Sequence, residues 1–195
     1  MHDTALVRKI IGGDRAAGER LVSTHYARIF RLLRGLTGNA DNAQDLTQQT
    51  FARAWNALSS YQGRASLATW LHKIAYHEYT NWLRSRRDEA TLDDAANIED
   101  LREARGLDSI LVSRALIRLP LEQREPFVLY YMQEFSVNEI AEITEVPVGT
   151  VKSRLFAARK RMRELLQAAD RPIETIVAPG AEPLLLLSHV DGGSG

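Results

Sequence analysis

Residues 136 to 166, SVNEIAEITEVPVGTVKSRLFAARKRMRELL, carry the most specific local pattern in the chain. The stretch opens on a capping box. Ser136 can accept from the N–H near Glu139 while Glu139 reaches back, which starts a short helix with Val137, Ile140 and Ala141 facing inward. After TEVP a second helix begins near Val148, with Val151, Leu155, Met162 and Leu166 on its buried stripe. Six basic side chains lie between Lys152 and Arg163 with no acidic one among them. Lys152, Phe156, Arg159 and Arg163 follow one another at i, i+4, i+7 and i+11, so they share the face opposite that stripe. Two short helices joined by a tight turn, the second one basic, make a helix-turn-helix pattern. Donors and cations on the first turns of the second helix suit base edges and phosphates; a merely solvated basic face is the plainer alternative. Glu145 holds the turn position that many such units give to Gly, where a positive φ costs another residue roughly 1 kcal/mol.

Working outward, the whole chain reads as helix. Apolar residues recur at three- and four-residue spacing, and turn residues punctuate the pattern at Gly12-Gly13-Asp14, Gly35, Gly38-Asn39, Ser59 and Gly63. A first helix ends near Ile11. Asp14 caps a second that reaches about Arg34, and Asp41 caps a third from Asn42 to Leu58 with Phe51, Ala54, Trp55 and Leu58 as its seam. Ser66 caps a fourth that reaches Arg87, with Leu67, Trp70, Leu71 and Ile74 inward. Trp55 and Trp70 are read as core. Further on, SILVSRALIRL is stopped by Pro120, and a helix starting near Glu122 runs through FVLYYMQEF; Pro126 fits only in its first turn, where a missing N–H costs little.

Composition bounds the function. With 45% hydrophobic and 26% charged residues the chain belongs to neither the disordered nor the membrane class. It has no Cys, which excludes disulfides and thiolate chemistry. The N-terminus lacks an export signal and PLLLLSHV falls far short of the roughly 20 residues that cross a bilayer, so no membrane insertion and a cytoplasmic location are expected. The formal net charge is zero, yet charge is segregated: between Asp88 and Asp108 eight acidic side chains face two arginines. That stretch reads as an acidic linker.

The fourth helix carries a different outer face. Lys73, His77, Thr80 and Arg84 align on it with Tyr76 alongside, so cations and π surfaces interleave as unstacked single-stranded bases require. No enzyme signature accompanies them. His77-Glu78 begins like a zinc-protease motif, but Asn81 stands where the second His would be, and neither a phosphate loop nor a nucleophile motif occurs. No cofactor and no metal are expected.

Two long stretches then carry a family resemblance. AQDLTQQTFARAWNALSSYQGRASLATWLHKIAYHEYTNWLRSRR and LPLEQREPFVLYYMQEFSVNEIAEITEVPVGTVKSRLFAARKRM resemble the extracytoplasmic-function (ECF) class of bacterial RNA polymerase sigma factors, over roughly residues 14 to 167. The resemblance implies an all-α chain of two small helical domains: a sigma region 2 bundle over 1–87 and a sigma region 4 helix-turn-helix domain over 108–168. They are joined by a flexible acidic linker over 88–107 and followed by a tail over 169–195. It implies that the third helix docks on the beta-prime clamp helices of core polymerase through Asp45, Gln48 and Gln49, where the family usually has Glu in place of Gln49. It implies minus-ten recognition and melting by a flipped base near Tyr61, with Lys73, Tyr76, His77, Thr80 and Arg84; His77 stands where the family most often has Asn. Minus-thirty-five recognition falls to Lys152, Ser153, Arg154, Phe156, Arg159, Lys160 and Arg163. Promoter DNA, the polymerase beta flap and an anti-sigma factor are the further partners implied. The linker is either a plain solvated segment or a stand-in for a nucleic acid strand in the polymerase channels. PLLLL is a candidate docking segment, and the final GGSG resembles an engineered linker. The rival from another class is a stand-alone dimeric helix-turn-helix regulator; a helical adaptor with a solvated basic face is a third reading.

Overall fold

The computed structural model describes residues 2–89 and 107–168, all of it helix and short turns. Helix α1 spans His2–Ile11, α2 Arg15–Thr37 and α3 Ala40–Ala57, which tightens into a 3-10 turn at Leu58–Ser60; α4 spans Leu67–Glu89. After the undescribed stretch come α5 (Leu107–Ile117), α6 (Leu121–Phe127), a π-turn at Val128–Met132, α7 (Val137–Thr144) and α8 (Val148–Gln167). The expected acidic linker over 88–107 lies almost wholly outside the described residues, as does the tail over 169–195.

Caps explain most boundaries. The Asp14 carboxylate accepts from Ala17 N at 3.0 Å, and Ser66 Oγ accepts from Thr69 N at 3.0 Å. The third helix departs from expectation: Asn39, not Asp41, is its cap, with Oδ1 accepting from Asn42 N at 2.8 Å. Thr37 decides the choice. Its hydroxyl accepts from Asn39 N at 3.3 Å, and its one proton is shared between the Leu33 carbonyl at 2.8 Å and the Asn39 carbonyl at 3.0 Å, holding Asn39 extended at the helix mouth. The second helix also overruns its expected end at Arg34, passing through Gly35 to Thr37. Gly35 is no turn. A Cβ there would lie 3.1 Å from a Val128 methyl, and one on Gly38 (φ 71°) would lie 2.9 Å from Ile117, so both glycines admit the later helices onto α2.

Pro126 also differs from expectation, sitting in the second turn of α6 rather than the first. Proline lacks the N–H that the α ladder needs at this depth and crowds the carbonyl four residues back. The chain then widens into π geometry, closed by Gln133 N donating to Val128 O at 3.1 Å.

Side chains of Leu21, Ile29, Leu32, Leu33, Leu46, Leu67 and Leu71 fill the space between α2, α3 and α4. Phe127, Leu129, Ile140, Val151, Leu155 and Met162 do the same for α6, α7 and α8. The two groups form one continuous cluster, because α2 touches α5, α6 and the π-turn while α4 touches α7. Trp70 packs against this core. Trp55 was expected there and is instead 52% exposed: its indole lies across the backbone of α2 at Gly18.

Two polar groups tie the halves together. Arg124, only 9% exposed, donates from Nε to Leu116 O at 3.0 Å, from Nη1 to Leu36 O at 3.1 Å, and from Nη2 to the Leu119 and Ile117 carbonyls. His72 is fully buried; its Nδ1 bonds the Ala68 carbonyl at 2.7 Å, and the Gln133 side-chain amide lies 3.5 Å from Nε2. Burial, with Arg28 adding to it, lowers the His72 pKa from 6.5 to about 4.

Two measurements follow from these groups. Arg124→Met strands buried carbonyls of α2 and α5, and urea unfolding should register a loss of about 3 kcal/mol. For His72 the packed form stays neutral while the unfolded chain protonates at the ordinary value. The unfolded chain therefore binds more protons between pH 6.5 and about 4, and stability drops as pH falls through that window, by about 3 kcal/mol at the acid end. Urea melts at pH 7 and pH 4 should show a smaller difference for His72→Gln than for the native chain; equal differences would assign the acid loss to other groups.

Candidate nucleic-acid interface

The capping box read from the sequence is present. Ser136 Oγ accepts from Glu139 N at 3.3 Å, and Glu139 Oε2 accepts from Ser136 N at 2.9 Å. It fixes the start of α7, which ends on Glu145 in the left-handed region at φ 57°. Pro147 then precedes α8, whose Val151, Leu155, Ala158, Met162 and Leu166 are buried. Lys152, Ser153, Phe156, Lys160 and Arg163 consequently emerge on the solvent side, with Arg154 and Arg159 half-buried at its margins. Phe156 is 68% exposed. A large apolar ring exposed among cations suits the apolar and phosphate chemistry of a DNA groove. Arg154 turns toward Glu125 and Tyr76, and Arg159 toward Tyr131.

On α3, Asp45, Gln48 and Gln49 are all exposed. They share one face because they lie three and four residues apart. Trp55, seven residues beyond Gln48, continues that face toward the helix end.

The outer face of α4 is where sequence expectation and structure part. Lys73, Tyr76, His77 and Thr80 do align, but carboxylates from the later half reach Lys73, His77 and Tyr76. Lys73 Nζ lies 2.9 Å from Glu145 Oε1, and His77 Nε2 lies 3.7 Å from the same oxygen. Hydrogen bonding and charge from Lys73 hold the Glu145 carboxyl below its ordinary pKa. The Tyr76 hydroxyl donates to Glu125 Oε2 at 2.9 Å. Burial raises the pKa of both partners, with Tyr76 and Arg154 drawing the carboxyl back. Thr69, one turn earlier, donates to Glu139 Oε1 at 3.3 Å. Thr80 bonds within its own helix, to His77 O at 3.0 Å. Arg84 is exposed.

Tyr61 lies before α4 rather than on it. Its hydroxyl donates to Ala65 O at 2.8 Å and its ring meets Trp70 edge-on at 5.5 Å. Arg86 lies over the Trp82 ring at 5.0 Å, a cation–π pair that the sequence reading did not single out. Nor did it single out Glu125 and Glu139 as residues facing α4. Their partners are 49 and 70 residues away, beyond any local periodicity. Glu145 alone left a trace, as a carboxylate where Gly is the easier choice. Among the described residues no cluster of three metal-ligating side chains occurs, and no helix is long and apolar enough to cross a membrane.

Comparison with known proteins gives this geometry a family. Residues 21–89 match the family Sigma-70 region 2, and residues 109–162 match Sigma-70, region 4. The chain is 34% identical over 166 residues to the ECF RNA polymerase sigma factor SigM of Mycobacterium tuberculosis, covering 84% of each. It is 32% identical to the RNA polymerase sigma-H factor of Pseudomonas aeruginosa, over 85% of this chain and 94% of the relative. Among solved structures it resembles the sigma factor RpoE in complex with the anti-sigma factor NepR from Bartonella quintana, with a TM-score of 0.67 and 28% identity over 78% of this chain and 98% of that one. It also resembles CnrH in complex with the cytosolic domain of CnrY, with a TM-score of 0.67 and 25% identity over 85% of this chain and 97% of that one. A chain whose described residues are helix and short turns, with these two regions in this order and relatives alike across most of its length, belongs to the ECF class of the sigma-70 family.

Proposed function

We propose that the chain is a promoter-specificity subunit: it binds core RNA polymerase, directs it to particular promoters and helps to separate the DNA strands, with no catalysis of its own. The observation that carries this is the order of the two matched regions, the second presenting a basic helix whose cations and Phe156 face solvent. In this reading Asp45, Gln48 and Gln49 meet the polymerase clamp. Asp45 supplies the charge and Gln49 only hydrogen bonds, which limits pairing with a basic partner. Lys152, Ser153, Phe156, Lys160 and Arg163 contact the minus-thirty-five duplex, with Arg154 and Arg159 at the edge. Tyr61, Lys73, Tyr76, His77, Thr80 and Arg84 handle the single strand at the minus-ten element. A neutral His77 offers one donor and one acceptor to a base edge. The work is done by binding energy in the cytoplasm, where the polymerase acts. RpoE, the solved relative described above, is held by an anti-sigma factor, and this supports a similar inhibitor here.

Reconstituted transcription tests the proposal. Core polymerase plus the chain, supplied with sheared genomic DNA of its own bacterium and read by sequencing transcript 5′ ends, should initiate at a small set of sites sharing two spaced elements. Asp45→Ala should cut co-elution with core at least several-fold. Lys152→Ala should leave co-elution intact and reduce initiation about 5- to 100-fold, the 1–3 kcal/mol of a good DNA contact. A chain that neither co-elutes with core nor changes its start sites would overturn the reading.

A further inference from the structure

Helix α1 lies ahead of the residues matched to Sigma-70 region 2, which begin at 21. Val7 and Ile10 are buried and dock it on the bundle. Asp3, four residues before Val7, shares their stripe and is half-buried. A carboxylate on the inward side of a helix is costly unless something donates to it. Here the donor is the mouth of α4: Asp3 Oδ2 accepts from Leu67 N at 2.9 Å, across 64 positions of sequence. Ser66 Oγ takes the Thr69 N–H, so two of the first amides of α4 are satisfied, one by the loop before the helix and one by α1. Thr4 reaches the middle of the same loop. Its Oγ1 stands 2.9 Å from where a Cβ on Gly63 would be, and Gly63 has φ 71°, so the position suits glycine on both counts.

The stretch 61–66 is thus held at its start, middle and end. Tyr61 donates to Ala65 O and meets Trp70, Thr4 stands against Gly63, and Asp3 holds Leu67. The Asp3 charge is also felt by the Tyr61 hydroxyl, whose pKa burial raises and that charge raises further. Between these points Gln62 and Arg64 are exposed. We propose that Asp3, with Thr4 beside it, is a positioning residue for base capture: it sets the loop that carries Tyr61, and with it the base preference at the minus-ten element. This deepens the single-strand role given above to Tyr61 and rests on it. Asp3 does not touch the strand; it acts through Leu67 and Gly63. Hydrogen bonds to base edges tolerate little displacement, so a loop released at its α4 end discriminates less well between bases.

Hydrogen exchange on the isolated chain and base substitution with polymerase test this together. Asp3→Ala should speed exchange at the Leu67 amide about five-fold, as loss of a cap does, with the amides of α8 unchanged. On a promoter from which the native chain and core polymerase initiate, each base of the minus-ten non-template strand is replaced in turn, and initiation is compared with that on the original base. Asp3→Ala should lower this preference about three- to ten-fold at the captured base. Co-elution with core and the preferences at the minus-thirty-five element should stay as they are. Asp3→Asn keeps an acceptor oxygen and should restore most of the lost preference. Gly63→Ala, which presses a Cβ toward Thr4, should lower the same preference from the loop side and covers the case of an Asp3→Ala chain that folds poorly. Unchanged exchange at Leu67, native preference at every minus-ten position, or equal losses at the two promoter elements would overturn the positioning role alone. A native chain that never initiates with core overturns the promoter reading, and the positioning role with it.

Discussion

The Arg124 guanidinium is the interaction on which the arrangement of the two halves depends. Helix ends leave carbonyls without partners, and here the end of α5 and the last turn of α2 point theirs at one buried cation. Arg124 satisfies Leu116, Ile117 and Leu119 from the later helices and Leu36 from the earlier ones. A planar fork with five donors is suited to this, where a lysine would not be. Burial disfavours the charge and lowers the Arg124 pKa, while Tyr79 and Glu125 oppose that shift. The same Glu125 accepts from Tyr76, so the structural cation and the covered α4 face belong to one polar seam.

Around that seam the two halves are asymmetric as nucleic-acid surfaces. On α8, Lys152, Phe156, Lys160 and Arg163 are exposed among the described residues, with Arg154 and Arg159 half-buried at the margin. The α4 face is met by three carboxylates, which leave His77 and Arg84 exposed, and beside them lies the His72, Gln133 and Phe135 contact, in which the His72 and Phe135 rings meet edge-on at 4.6 Å. Arg28 joins the same contact, donating to Gln133 O at 2.6 Å and lying over Phe135 at 5.5 Å. Polar and aromatic contacts of this kind are directional, so they fix orientation as well as contributing stability.

What could be read in advance depended on whether the determinant was local. The caps at Asp14, Ser66 and Ser136, the buried stripe of α8 and its outward cations all follow from residues within a turn or two of each other. Asn39 and Asp41 are both good capping residues two apart; the decision came from Thr37, whose hydroxyl holds the Asn39 backbone. Gly35 looked like a stop because its packing partner, Val128, is remote in sequence. Trp55 shares the spacing of the buried Ala54 seam, yet burial depends on what a neighbouring helix offers, and α2 offers a glycine there. The site shows the same division. The residues of the α8 surface and of the α3 face were legible, and so was the alignment along α4. Its occlusion was not, because carboxylates contributed from far along the chain leave no periodic signature.

Gly18 has an effect beyond its own helix. A glycine inside α2 sacrifices about 1 kcal/mol of helix preference relative to alanine, and any Cβ there would fall 2.8 Å from the Trp55 ring. The vacancy seats the indole sideways on the helix backbone, so this aromatic stands in water with little freedom to swing. A side chain already immobilised forfeits little rotational entropy when something settles on it. The end of α3 beyond Gln48 is thereby a prepared surface rather than a mobile one, and its readiness is set by an atom that α2 lacks.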